Sequence, residues 1–220
     1  MTLEGTNTYL VGRDPCWVVD PGPDDEAHID LVRREAEDRG GIGGVLLTHA
    51  HRDHSGGVDA LGVEVSDVAD GEQAGPLVAM ATPGHADDHF VFLTADGVCF
   101  SGDLVLGTGS SFVPPDGGSL SAYMDSLARV RELAPKLIAP GHGPWVTDPI
   151  AKLDEYIDHR EARECGLVEA IERGERSRTT LLAEVWSDVP EELRPAAALV
   201  MEAHIEKLVS EGRIDGNLDE

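Results

Sequence analysis

Thr48-His49-Ala50-His51-Arg52-Asp53-His54-Ser55-Gly56-Gly57 places three imidazoles and one carboxylate within six positions. The stretch follows a short apolar run, Val45-Leu46-Leu47, that reads as a buried strand. It precedes Gly56 to Leu61, a segment able to begin a helix. At an extended strand end side chains alternate, so His49 and His51 project to the same side. Two neutral imidazoles so placed can share one borderline-soft cation such as Zn2+. Asp53 and His54 lie beyond the bend, where they can face a second ion. A lone histidine in a loop is usually only solvated or hydrogen-bonded. Four ligand-type side chains at this spacing are a metal-binding signal.

Three later segments each bring one more ligand-type residue to the end of a predicted strand. Thr82-Pro83-Gly84-His85 follows the strand Leu77 to Ala81, with Pro-Gly forcing the turn that presents the histidine. Ser101-Gly102-Asp103 follows Val98 to Phe100, and Pro140-Gly141-His142-Gly143 follows Leu137 to Ala139. In each, a glycine beside the ligand gives room for the backbone to approach a metal centre. Any one of these could be an ordinary turn, but recurrence at four strand ends points to a common purpose.

The segments between them predict the fold. Thr8 to Val11 and Cys16 to Val19 alternate as paired strands, with Gly12 to Pro15 as the turn. Asp20-Pro21-Gly22-Pro23 stops the second strand, Asp24 to Arg39 reads as a helix, and Gly40-Gly41 ends it. His89 to Thr94 and Val98 to Ser101 flank the hairpin signal Ala95-Asp96-Gly97. A helix from Ser121 to Leu133 precedes the strand Leu137 to Ala139. Two β-rich halves interrupted by helices fit an α+β sheet-on-sheet sandwich with helices on its outer faces. The composition shifts after Pro149. Ile150 to Arg173 reads as one long helix, then Thr179 to Trp186, Glu191 to Ala198 and Leu199 to Glu211 as three shorter ones, followed by Gly212-Arg213-Ile214 as a β turn. The expected division is 1–148 for the sandwich and 149–220 for a helical, winged-helix-like region. That region carries 18 acids, so packing or dimerisation is a better reading for it than nucleic-acid binding.

Composition limits the function classes. Forty-two acids against 17 Lys and Arg give a net charge of −25, which repels polyanions unless bases gather locally. Arg160 and Arg163 with Arg173, Arg176 and Arg178 could form such a local strip beside a cleft. No apolar run is long enough to cross a bilayer, and residues 1 to 15 lack a signal-peptide pattern, so no membrane partner is expected. Three widely spaced cysteines, Cys16, Cys99 and Cys165, favour free thiols in a reducing cytoplasm.

His-x-His-x-Asp-His followed by separate His, Asp and His residues resembles the metallo-β-lactamase superfamily. The resemblance implies an αββα sandwich with a dinuclear site on its rim. It implies that His49, His51 and His85 hold one metal, that Asp53, His54 and His142 hold the second, and that Asp103 bridges them. An aspartate at the bridging position, where zinc lactamases commonly carry cysteine, points away from antibiotic hydrolysis. A narrower resemblance covers the whole chain. Gly5-Thr6-Asn7-Thr8-Tyr9-Leu10-Val11, Asp20-Pro21-Gly22, Thr82-Pro83-Gly84-His85-x-Asp87-Asp88-His89 and His159-Arg160-x-x-Arg163-Glu164 are similar to the β-lactamase-like protein 2 group. That group includes a single-strand-specific endoribonuclease, resembles polyketide-releasing thioesterases, and has a winged-helix-like C-terminal region. Ala86 departs from the superfamily, which usually has threonine there. Relatives also have a further strand or two before the Gly-Thr-Asn-Thr-Tyr segment. The strand Thr8 to Val11 is therefore expected at an open edge, and an open edge invites homodimerisation.

The expected chemistry is that of a dinuclear zinc hydrolase, other divalent metals being admissible. A metal-bridging hydroxide, available because metal binding lowers the pKa of water to about 7, would attack a carbonyl carbon or phosphorus. Asp53 and Asp103 are the candidate catalytic residues, Asp53 to orient the nucleophile and Asp103 to bridge. Candidate substrate-binding residues are Asp88 and His89, just past a ligand, Ser110 and Ser111 in the Gly-Ser loop after Asp103, and Tyr123 near a helix start. The favoured substrate is a small ester or thioester. The rival is single-stranded RNA cleaved by a metal-dependent endoribonuclease, and the non-hydrolytic alternative is a diiron redox or metal-binding protein. An RNA path needs bases and often aromatic platforms. Residues 1–148 hold eight bases against 24 acids, and aromatic residues make up 5% of the chain.

Overall fold

Eight strands build two sheets around a shared apolar interior. The computed structural model describes residues 5–219 of the 220-residue chain. The first sheet begins with β1 (Tyr9–Val11), which pairs antiparallel with β2 (Cys16–Val19). Helix α1 (Glu26–Glu37), capped by the Asp25 side chain, crosses over to β3 (Ile42–Leu46), which lies parallel to β2. Two short helices follow, α2 (Arg52–Ser55) and α3 (Val58–Leu61). The second sheet has the order β4 (Gln73–Ala74), β5 (Leu77–Ala81), β6 (Phe90–Thr94), β7 (Val98–Gly102) and β8 (Leu137–Pro140). It is antiparallel as far as β7; β8 then runs parallel to β7 after a crossover through α4 (Leu120–Glu132). The two-residue β4 has no alternation to announce it and is not expected from the sequence.

The period of two in each strand sends neighbouring side chains to opposite faces. Val19 and Leu46 of the first sheet meet Leu77, Ala79, Phe92, Phe100 and Ala139 of the second in the central layer. Their neighbours Val18 and Val45 point outward, against Ile29, Val32 and Leu61 of the helices. Met80, Val91, Cys99 and Ile138 point the other way, against Leu120, Tyr123, Leu127 and Val130 of α4. The result is a four-layer αββα sandwich. β1 is the outer strand of its sheet, as expected. It is tied across the sandwich by the Tyr9 hydroxyl, which donates to the Pro140 carbonyl at 2.8 Å.

The long helix α5 (Pro149–Glu172) belongs to two cores. Its first turns add Leu153 and Tyr156 to the layer beneath α4, and its last turns pack Leu167, Ala170 and Ile171 against the C-terminal helices. Those are α6 (Arg178–Val185) and α7 (Arg194–Ser210), the latter led by a 3-10 turn at Glu191–Leu193. The sequence suggests two helices between Glu191 and Glu211; one long helix forms instead. Pro195 falls in the first turn, where proline starts a helix rather than breaking it, and Ala196-Ala197-Ala198 offers no capping residue at which to stop. The expected β turn at Gly212-Arg213-Ile214 contributes no strand pair. A single parallel bridge, Ser177 to Asp219, joins the chain end to the start of α6 instead. Among the described residues, no helix is long and apolar enough to cross a membrane.

Candidate metal centre

Five strand ends converge on one rim of the sandwich. Asp20 follows β2, His49 follows β3, His85 follows β5, and Asp103 and His142 follow β7 and β8. All seven ligand-type residues singled out in the sequence come together there. His49, His51 and His85 form one group, Asp53, His54 and His142 a second, and His49, His54 and Asp103 a third that joins them; within each, the ligand atoms lie within 4.8 Å of one another.

The outward nitrogen of four histidines is spent on an oxygen, which leaves the inward nitrogen as a lone-pair donor. His54 Nδ1 donates to Asp20 Oδ2 at 2.8 Å, His85 Nδ1 to the Phe112 carbonyl at 2.7 Å, and His142 Nδ1 to the Gly5 carbonyl at 2.8 Å. His49 Nδ1 donates to the Thr48 hydroxyl at 3.0 Å, because that hydroxyl itself donates to Asp20. The inward atoms then crowd one another. His49 Nε2 is 2.8 Å and His85 Nε2 3.1 Å from His51 Nδ1, and His54 Nε2 is 3.2 Å from His142 Nε2. Lone pairs facing each other at such distances repel, and divalent cations between them convert that repulsion into coordination. Asp103 Oδ1 is buried without a hydrogen-bond partner among the described residues, 3.5 Å from His54 and 3.4 Å from His142. An orphaned carboxylate oxygen between imidazoles fits a shared metal ligand. The donor set of nitrogen and carboxylate oxygen suits zinc and its neighbours in the first transition row.

Charge follows position. Burial holds His49 and His85 below the usual histidine range, as does the company of other imidazoles. Burial opposes protonation of His54 as well, but without a metal the neighbouring Asp103 and Asp20 carboxylates outweigh it and push His54 up to about 10; a bound cation would displace that proton and take the lone pair. Burial likewise pushes His89 down to about 3, so its ring is neutral.

The candidate substrate residues divide. Asp88 is exposed and accepts the Ala50 amide at 3.0 Å, which braces the loop between His49 and His51. Ser110 is exposed. His89 is not on the cleft wall: its Nδ1 donates to Thr82 and its Nε2 accepts the Asp103 amide, so it supports the bridging aspartate from beneath. Ser111 is buried and donates to the Asp103 carbonyl at 2.6 Å. Tyr123 is fully buried, its hydroxyl spent on the Leu104 carbonyl at 2.7 Å, so it packs rather than lines the cleft. These corrections have one cause: a position just past a ligand or at a helix start does not reveal which way the side chain turns.

In the sequence Asp20 reads as a strand terminator within a family motif, and its role in the site goes unnoticed there. It is buried, with φ of 51°, and accepts from the Thr48 amide, the Thr48 hydroxyl and His54. A carboxylate directly after a buried strand, with Pro-Gly behind it, is the available signal. The expected arginine strip does not form. Arg160 is buried against the Ser111 carbonyl, and Arg163 is held by Val185, Asp188 and the Trp186 ring. Arg173 pairs with Glu184, Arg176 donates to the Ile171 carbonyl, and Arg178 is taken by Glu202 and Leu218. Each guanidinium finds an acceptor within the fold. Beside His49 lies a cleft of about 280 Å³ with Leu47, Val65, Val68 and Phe90 on its walls and Asp67 and Asp88 at its rim.

Comparison with known proteins agrees with this architecture. The family model described as the metallo-beta-lactamase superfamily matches residues 1–64 and 62–142, and that of the beta-lactamase associated winged helix domain matches residues 180–218. A "Beta-lactamase-like protein 2 homolog" from Drosophila melanogaster is 31% identical over 97% of this chain and 85% of its own length. A "Lactamase-like protein adaB" from Aspergillus niger is 33% identical over 97% of this chain and 78% of its own. Among solved structures, a metallo-beta-lactamase family protein from Thermus thermophilus is similar in fold, with a TM-score of 0.75 at 22% identity, covering 94% of this chain and 89% of that one.

Proposed function

The chain belongs to the metallo-beta-lactamase superfamily, and from that premise we propose that it is a dinuclear zinc hydrolase acting on a small ester or thioester. His49, His51 and His85 would hold one ion, Asp53, His54 and His142 the second, with Asp103 shared between them. Bound divalent ions supply Lewis acidity and bring the pKa of water to about 7. Asp53 is the half-exposed acid of the set, its Oδ2 3.4 Å from His142 Nε2, and is suited to orient the attacking water and accept its proton. Asp103 is recessed, which suits a ligand better than a proton carrier. Asp20, Thr48 and His89 keep the ligands aimed, and the cleft beside His49 receives the acyl group.

One observation carries the choice of substrate. The cleft is walled by apolar side chains and rimmed by carboxylates, while Arg160 and Arg163 are engaged within the fold. A neutral acyl compound is compatible with such walls; a phosphate backbone is not. Unpaired Cys16, Cys99 and Cys165 support a reducing, cytoplasmic setting. The edge position of β1 among the described strands leaves homodimerisation as a further proposal, to be read from mass in solution.

The test is a panel run with zinc-loaded protein at low salt: aryl esters, small-thiol thioesters, acyl-coenzyme A thioesters and single-stranded RNA. Ester or thioester turnover that disappears in Asp103→Ala supports the reading. Metal-dependent RNA cleavage without acyl turnover overturns it in favour of the nuclease. An iron content with visible absorption, and no hydrolysis, would favour the redox alternative.

A further inference from the structure

Arg160 is an unusual buried cation. It is only 2% exposed, its Nε finds no partner among the described residues, and its guanidinium lies 5.5 Å from the Tyr123 ring centre. A buried charge without a carboxylate partner is costly, and an apolar side chain could fill the same space without that penalty. What an apolar side chain cannot do is donate to the Ser111 carbonyl, as Arg160 Nη2 does.

That carbonyl sits at the working point of the loop between β7 and α4. Toward the centre, the Ser111 hydroxyl donates to the Asp103 carbonyl at 2.6 Å and lies 3.4 Å from His85 Nδ1. The next residue, Phe112, supplies the carbonyl that accepts the His85 Nδ1 proton at 2.7 Å. Away from the centre, the loop is tied to α5 twice. The Tyr156 hydroxyl accepts the Leu106 amide at 3.1 Å and donates to the Gly109 carbonyl at 2.9 Å, and Arg160 holds Ser111 one turn further on. The anchor is itself fixed. Glu164, four residues after Arg160, is gripped by Lys207 at 2.9 Å and Arg213 at 2.6 Å, which clamps α5 to the C-terminal helix and the turn behind it.

The other half of the centre is braced elsewhere. His54 is oriented by Asp20 and His142 by the Gly5 carbonyl, neither of which belongs to this loop. We propose that Arg160 is a positioning residue for the His49, His51 and His85 half of the metal centre, through which the C-terminal region sets the aim of His85. The inference rests on the metal-centre reading above. It says that the two ions depend on different parts of the chain.

The experiment uses the full chain, stripped with a chelator and then titrated with Co2+ by visible absorption and with Zn2+ against a chromophoric competitor. In Arg160→Met, one ion is expected to bind about 10- to 100-fold more weakly, the usual effect of losing a partner that orients a ligand. The second ion should keep its wild-type affinity. The circular dichroism and melting midpoint of the metal-free variant report separately whether the fold is intact. Should Arg160→Met fail to fold, Arg160→Lys decides, since it keeps the buried charge but loses the planar fork that reaches the Ser111 carbonyl, and should weaken the same ion alone. Equal weakening of both ions, or of neither, in a folded variant overturns the role of Arg160 while leaving the metal reading in place. A wild-type chain that takes up no divalent ion overturns both.

Discussion

The carboxylate of Asp20 accepts His54 Nδ1 at 2.8 Å and the Thr48 hydroxyl at 2.7 Å, so one buried side chain braces both ends of the His-x-His-x-Asp-His loop. Thr48 passes the constraint to His49, whose Nδ1 lies 3.0 Å from its hydroxyl. An acceptor-only group is required there, because all its partners are donors.

Asp20→Asn therefore places an amide where two donors converge. Metal affinity should fall about 10- to 100-fold, with little change in far-ultraviolet circular dichroism. Competition with a chromophoric chelator measures this, and wild-type affinity in the variant would refute the bracing role.

Asp103→Ala removes the group that stands between the two ligand clusters. Both metal content and hydrolysis should be lost together, since neither ion keeps a complete set of ligands. His159→Ala, on the flank of α5 and away from the centre, should retain both. Elemental analysis beside turnover separates these outcomes, and full metal content in Asp103→Ala would count against a shared ligand.

Gly141→Ala tests how tightly the backbone approaches the centre. A Cβ at Gly141 would lie 2.7 Å from His54 Cε1 and 2.8 Å from Asp103 Oδ1, closer than van der Waals contact allows. Displacing either ligand by a fraction of an ångström should lower kcat/KM by about 100-fold. A variant with unaltered kcat/KM would show that the loop can retreat without disturbing its ligands.

The C-terminal core predicts a pH dependence of stability. Burial pushes His204 down to about 4. Burial would raise Glu164, but neighbouring His204 and the Lys207 ammonium hold it down at about 2. Both groups bind protons more readily in the unfolded chain. His204 therefore contributes stability that is complete above pH 6.5 and shrinks as the pH falls toward 4, by up to about 3 kcal/mol; Glu164 continues the loss between 4.5 and 2. Urea unfolding of chelated protein at pH 7 and pH 5 should show the drop, and His204→Gln should flatten it. An equal drop in the variant would assign the effect to other groups.

The local elements were largely legible because their signals are local. Leu77 to Ala81 is a short apolar run before Thr-Pro-Gly and forms a strand over those same residues, and the long helix after Pro149 emerges within a residue of its expected ends. Failures came where no local signal exists. β4 is two residues long and owes its pairing to β5. The boundary drawn at Ala198 had neither cap nor glycine, and the helix runs through it.

For the site, residue type and spacing alone brought out the seven ligand-type side chains, because metal coordination demands particular donors at strand ends and few other purposes do. Direction and partnership are different properties. Whether Tyr123 faces a cleft or a core, whether His89 meets substrate or the Asp103 amide, and whether five arginines line a path or serve their own helices depend on neighbours distant in sequence. Asp20 is 28 residues from Thr48 and 34 from His54, and Arg160 is 49 from Ser111. Hydrogen bonds over such separations exist only once the sheets have packed and the helices have docked, so tertiary structure alone decided which polar groups aim the ligands and which merely hold the fold.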